Sequence, residues 1–274
     1  MGIEANVERI VDRAAAHATP SLLTVRDRLL VGLAFSAGIY EAICFLSFGK
    51  VFTGFQTGNL VFLGLAVAGT RPPFGPEPLS VVASLVAFVL GAALAVRILK
   101  AFDGDKEVED DEVFELWPRR VSITLGTAVV VQIAFLAVWT AASPSTVVTD
   151  ILLGLNAFAM GLQMNAIRAL HVPAISTTAE TATIISFVSG IATWSLKASA
   201  ARRLAATITS MAVGAFVGDW MLSHLHSIAP LVPVLVMAVV IAIAAVTLKQ
   251  DKVSRAQQCS GSRHPGRVSH DMSD

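Results

Sequence analysis

Two runs of uncharged polar residues and a few isolated acids hold most of the chemistry this chain can offer. The first run supplies Thr53, Gln56, Thr57, Gly58 and Asn59; the second spans Ser176 to Thr183 and contains Thr177, Thr178, Glu180 and Thr181. Hydroxyls and amides give donors and acceptors without charge, which suits a neutral solute or a desolvated ion. Gly58 would let the backbone turn or approach a ligand closely. The same groups also serve as glue between packed helices. Glu41 stands alone in an apolar stretch, either as a proton-coupling or substrate-binding carboxylate or as a structural carboxyl bonded to a neighbouring helix. Glu180, among hydroxyls, is either part of an ion or solute site or a helix cap near a surface. Asp219, between Gly218 and Trp220, is a candidate partner for Glu41, and Gln163 a candidate pathway residue beside Asn165 and Arg168. Gln132 reads as glue between helices.

Other chemistries find no residues. His224 and His226 are two apart and lie on different helix faces, so no metal site is expected. There is no Walker loop, nucleophile elbow or His-Glu-x-x-His pair, so the expectation is a protein that is not an enzyme and needs no cofactor. Twenty basic residues balance twenty acidic ones, which leaves no basic excess for a nucleic-acid partner. Cys44 reads as a small buried hydrophobe.

The elements that must position these groups follow from composition. Of 274 residues, 54% are apolar and only 15% charged, against about 25% charged in soluble domains. The apolar residues fall into blocks about twenty long, matching a hydrocarbon core of roughly 30 Å. The expected fold is all-α and polytopic, with the lipid bilayer as its principal partner. The blocks are Leu29–Phe48, Val51–Gly69, Leu79–Leu99, Val121–Ala142, Val147–Ala169, Ala174–Trp194, Leu204–His224 and Ala229–Leu248. They divide the chain into an N-terminal tail (1–28), a first membrane half (29–142) with a charged loop at 100–120, a second half (143–248) and a disordered tail (249–274). No apolar core with a small-residue cleavage site follows the N-terminus, so no signal peptide is expected.

Lysine and arginine placement sets the topology. If all eight blocks cross with the N-terminus inside, Arg97, Lys100, Lys106, Arg119, Arg120 and Arg168 fall outside. If the two polar blocks at 51–69 and 174–194 dip in and return, those residues move inside and only Lys50 and Arg71 stay out. The positive-inside rule therefore favours six crossings plus two re-entrant or broken helices, with both termini cytoplasmic. The halves are weakly alike. A shift of 124 residues aligns Glu41-Ala42 with Asn165-Ala166, Thr53 with Thr177 and Thr57 with Thr181. A shift of 127 aligns Ala87/Gly91 with Gly214/Gly218. Such small-residue pairs pack helices closely within one chain or between two copies, making Gly214 and Gly218 the candidate contacts of a homo-oligomer. Three crossings per half would make the repeats inverted, a plan recurrent among transporters.

Gly38-Ile-Tyr-Glu41-Ala42-Ile-Cys-Phe45-Leu46, followed by Val51-Phe52 and Thr57-Gly58-Asn59, resembles the YoaK-type family of bacterial inner-membrane proteins, to which no function is assigned. Gly161-Leu162-Gln163, Arg168, Val172-Pro173 and Ser176-Thr177-Thr178 resemble that family's second signature. The likeness spans about residues 29–248. It implies a multi-pass protein of the bacterial inner membrane, sometimes labelled a permease, and no particular substrate. Glu41 stands where an aspartate is commoner, Gln56 where a methionine is usual, and Ala182 where a glycine is expected; Ala169 and His171 also depart from the pattern. Joined to the polar midplane runs, the reading is a small-solute permease or channel passing an unidentified solute or ion. The alternative is a non-transporting scaffold.

Overall fold

The computed structural model describes residues 20–70, 75–101, 117–170, 172, 180–193 and 198–261. Its helices are α1 (Pro20–Ser47), α2 (Gln56–Val67), α3 (Pro78–Ala101), α4 (Arg119–Ala141), α5 (Thr146–Arg168), α6 (Glu180–Ala192), α7 (Ala198–His224) and α8 (Leu231–Gly261), with a short 3₁₀ turn at His226–Ile228. The fold is all-α, and no strand occurs among the described residues. Six helices are long and apolar enough to cross a membrane: α1, α3, α4, α5, α7 and α8. The 12 residues of α2 reach only about 18 Å and the 13 of α6 about 20 Å. Both described lengths fall short of roughly 30 Å of hydrocarbon, so the described residues form six long apolar helices and two short ones.

Two boundaries differ from those read in the sequence. The first helix begins at Pro20, inside the expected N-terminal tail; proline suits a first helical position, where its missing N–H has no partner to lose. The last helix continues from the apolar block to Gly261, so 249–261 is helical rather than disordered. That segment is rich in Lys, Gln, Arg and Ala, all good helix formers, and has no glycine before Gly261. The remainder of the tail, and most of the charged loop, lie outside the described residues.

Polarity is distributed as a bilayer requires. Val89, Val130, Phe216 and Val246 are all more than half exposed at mid-helix, whereas Ser36, Glu41, Asn59, Ser84, Gln132, Asn156, Gln163 and Thr207 are buried. In water this arrangement would be unstable; against lipid, an apolar exterior with polar groups turned inward is the low-energy one.

The helices obey an internal symmetry. α1 packs along α7, and α3 packs along α5, each pair running parallel. Asp27 meets Arg203 in the first pair, and Ser80 meets Asp150 in the second. The Ser210 hydroxyl donates to the Val31 carbonyl, while Ala87 faces Gly154. Gly214 lies on the Phe35 carbonyl and Gly91 on that of Phe158. Gly38 approaches Met211 and Ala215 as Gly161 approaches Phe88 and Ala92. Every one of these counterparts is separated by 123 residues. The repeat is therefore inverted and intertwined, since each pair takes one helix from each half. The helix register is 123. The shift of 127 read from the small residues is corrected: Gly91 corresponds to Gly214, because those two occupy equivalent crossings. Gly214 and Gly218 are buried against α1 of the same chain, the first of the two placements that their spacing allows.

These crossings predict a sharp split among glycines. A Cβ on Gly38 or Gly91 would collide with a carbonyl of the facing helix, whereas one on Gly64 or Gly126 would meet nothing within 4 Å. Gly38→Ala and Gly91→Ala should each cost about 1–3 kcal/mol, read as a fall in detergent melting temperature. Gly64→Ala and Gly126→Ala should leave it unchanged or slightly raised.

Candidate polar site at the α1–α2 turn

The site begins where α1 stops. Gly49 and Lys50 both adopt positive φ, at 69° and 65°, and the Lys50 N–H returns to the Phe45 carbonyl at 3.0 Å. This closes the helix end in the left-handed way that glycine favours and sends the chain back into the bundle. Residues 51–55 then run unwound before α2, so their backbone groups need partners other than a helix ladder.

Glu41 supplies them. One carboxylate oxygen accepts from the Thr53 N–H at 3.2 Å; the other accepts from the Thr53 hydroxyl at 2.9 Å and from the Gly54 N–H. Glu41 is buried. It lies six residues, about 9 Å, from the end of α1. Gly54 is required here: a Cβ would sit 2.7 Å from a Glu41 oxygen and 2.9 Å from the Met164 methyl. Asn156 of α5 completes the chain of bonds, donating to the Thr53 hydroxyl at 2.8 Å and to the Cys44 sulfur at 3.2 Å.

A second cluster clamps the other side of the turn. Asn59 is fully buried; its oxygen accepts from the Phe52 N–H at 3.1 Å, and its amide donates to the Phe52 carbonyl at 2.7 Å and to Gln56 at 2.8 Å. Gln56 donates to the Thr53 carbonyl at 2.7 Å, and Ser84 of α3 donates to the Phe52 carbonyl at 2.7 Å. The Phe52 ring stacks on Phe45 with centroids 4.7 Å apart. Gly58 leaves room for that ring, since a Cβ there would lie 3.0 Å from it. The result is an unwound turn with its backbone polar groups held by side chains from α1, α2 and α3, and with its Thr53 hydroxyl held by Asn156 of α5.

Of the residues singled out in the sequence, Glu41, Thr53, Gln56, Gly58 and Asn59 come together. Thr57, in the same run, points outward and is exposed, because it falls on the opposite face of α2 from Asn59. Asp219 is not a partner of Glu41: its neighbour Gly218 packs on Ile39 and Ala42 of α1, which turns Asp219 to the exposed face of α7. Gln163 is buried on α5, donating to the Leu33 carbonyl of α1 at 3.2 Å, away from the turn. Thr177 and Thr178 lie outside the described residues. Glu180 and Thr181 open α6, and their side chains lie outside the description. Asn156 and Ser84 were missed. Asn156 carried a signal, a lone amide in the apolar run Leu152 to Met160; Ser84, a small hydroxyl in α3, carried almost none. His224 stacks on Trp220 and His226 on Trp139, on separate helices.

A bundle of six spanning helices with an apolar exterior and a buried polar turn is a multi-pass helical membrane protein. The chain belongs to the family described as a protein of unknown function (DUF1275), whose model matches residues 29–243. It is 30% identical over 168 residues to UPF0700 transmembrane protein YoaK of Bacillus subtilis (strain 168), covering 61% of this chain and 67% of that protein. No solved structure matches the chain.

Substituting glutamine at position 41 turns one acceptor oxygen into a donor, which then faces the N–H groups of Thr53 and Gly54. Glu41→Gln should therefore destabilise by about 1–3 kcal/mol, as should Asn59→Ala, measured by thermal unfolding in detergent. Thr57→Ala, on the exposed face, should change nothing.

Proposed function

We propose that the chain is a non-enzymatic small-solute permease or channel of a bacterial inner membrane. The reading rests on one observation: amides inside the bundle with atoms that nothing among the described residues satisfies. Gln132 is fully buried in α4, and neither atom of its side-chain amide has a hydrogen-bond partner among the described residues; the side-chain oxygens of Asn156 and Gln163 are in the same condition. Each such atom costs about 1–3 kcal/mol if left dry, and polar groups at membrane depth mark water or solute routes. Residues acting only as glue would be paired. The inverted repeat and its two half-length helices support the same reading, since broken helices in inverted repeats form solute sites in several transporter folds. In this account the Glu41 turn is a closed gate at one end of the route, released when Thr53 and Gly54 leave the carboxylate.

Orientation follows from charge. Arg26, Arg28, Arg97, Lys100, Arg119, Arg120, Arg168, Arg202 and Arg203 share one end of the bundle, and Lys50 lies at the other. The positive-inside rule puts the first end, with both termini, in the cytoplasm.

The pairing of Glu41 and Asn59 within the chain favours a second reading, a scaffold whose polar residues only hold helices together. Stopped-flow light scattering of proteoliposomes with glycerol, urea and potassium chloride separates the two. Transport predicts wild-type relaxation at least threefold faster than empty vesicles for one of these solutes. Gln132→Leu should abolish it without lowering the melting temperature. Where the rate depends on pH, Glu41→Gln should make it pH-independent. Wild-type vesicles no faster than empty ones for every solute, with Glu41→Gln and Asn59→Ala lowering stability alone, would leave the scaffold.

A further inference from the structure

The three amides buried in α4 and α5 differ in which of their atoms are already spent, and that difference selects a class of solute. Gln132, Asn156 and Gln163 are each at most 1% exposed. At Asn156 the bonding partners fix which way the amide points. The single proton of the Thr53 hydroxyl goes to Glu41, so toward Asn156 that hydroxyl accepts, and the amide nitrogen donates to it at 2.8 Å. The Asn156 oxygen is left without a partner among the described residues. At Gln163 the nitrogen must face the Leu33 carbonyl, which can only accept, and the oxygen is again the atom left over. Gln132 has neither atom paired among the described residues, whichever way round its amide stands. Between them these side chains offer three free oxygens and one free nitrogen.

Their placement puts them on one seam. α4 and α5 run antiparallel across a short connection. Gln132 lies nine residues before the end of α4 and Asn156 ten after the start of α5, about 14 and 15 Å along their helices, so the two share a depth. Gln132 falls between Ala128 and Phe135, and Asn156 between Leu153 and Ala159. Ala128 and Ala159 belong to one core cluster, as Phe135 and Leu153 belong to another, so both amides stand on the stripes that α4 and α5 turn toward each other. Gln163 follows two turns further along the same face of α5, about 10 Å nearer the basic end.

The free atoms decide what can rest there. An anion needs several donors, and the seam leaves one nitrogen. A cation stripped of water needs a near-complete shell of oxygens or a counter-charge. The depth of Gln132 and Asn156 supplies two oxygens and that of Gln163 one, while the Glu41 carboxylate is occupied by Thr53 and Gly54. A small uncharged molecule with N–H or O–H groups satisfies these oxygens without carrying charge into the bundle. We propose that Gln132 with Asn156, and then Gln163, form two successive stations for an uncharged hydrogen-bond donor of the size of urea or glycerol, and that the route excludes ions. This inference rests on the transport reading and narrows it.

The test is stopped-flow light scattering of proteoliposomes carrying the full chain, with urea, glycerol, sodium formate and potassium chloride as probes. Urea, glycerol or both should relax at least threefold faster than in empty vesicles, and both salts at the empty-vesicle rate. Gln163→Met, which keeps the side chain's length and removes its amide, should return the neutral solute to the empty-vesicle rate, as should Gln132→Leu. Thr207→Val removes a buried hydroxyl that is already bonded within its own helix to the Arg203 carbonyl, and should keep the wild-type rate. Formate or potassium chloride passing faster than in empty vesicles overturns the inference and leaves transport standing; this comparison needs wild type alone, so it decides even where a variant fails to fold. Neutral-solute flux that survives in Gln163→Met and Gln132→Leu also overturns it, as does equal loss in Thr207→Val. No probe faster than in empty vesicles overturns the inference and the transport reading together.

Discussion

A carboxyl group held inside a membrane-spanning helix cannot be left without hydrogen-bond partners, and much of the first half of this protein is arranged around that constraint. Glu41 finds its donors in the backbone of the turn that follows its own helix, so the turn must fold back into the bundle rather than continue as helix. That requirement explains the positive φ at Gly49 and Lys50, the unwound residues before α2, and the missing Cβ at Gly54. It also explains why α2 is short: the chain starts again as helix only after its backbone groups have been claimed. Asn156, Asn59 and Ser84 extend the same logic to α5, α2 and α3, so side chains from four helices meet at a single turn.

Around the turn, the intertwined repeat provides the rigid frame. The parallel pairs α1/α7 and α3/α5 cross at glycines that bring backbone against backbone, and such contacts admit no side chain between them. The chemistry is nevertheless unequal between halves. The 123-residue counterparts of Asp27–Arg203 are Asp150 and Ser80, an ion pair in one place and a neutral-to-acid hydrogen bond in the other. The counterpart of Glu41 in helix register is Met164. The two halves share the packing but not the acid.

Much of this was legible from residue types alone. Apolar blocks and the positions of Lys and Arg gave six spans plus two re-entrant or broken segments, because crossing a bilayer imposes an apolar length and a charge bias that composition records directly. The membership of Glu41, Thr53, Gln56, Gly58 and Asn59 in one site was legible as well, since polarity so deep in an apolar chain demands neighbours. The rest depended on facing direction. Thr57 lies in the same polar run as Asn59, yet two positions along a helix turn it to the opposite side. Asp219 was judged by depth, whereas Gly218 beside it decides which face meets α1. The repeat register escaped because loops and helices need not share one offset, and small residues four apart align equally well one turn out of step. The helical stretch 249–261 was read as a tail because its polarity has no apolar face, although its residues favour helix.

Hydrogen–deuterium exchange over residues 50–58 measures most directly whether the Glu41 carboxylate holds this turn. In wild-type protein the amides of Thr53 and Gly54 should exchange slowly, with protection like that of the helices beside them. In Glu41→Gln, under conditions where the rest of the bundle stays folded, the same amides should exchange at least tenfold faster while α3 and α5 are unchanged. Equal protection in the two proteins would mean that the turn is held by something other than the buried acid.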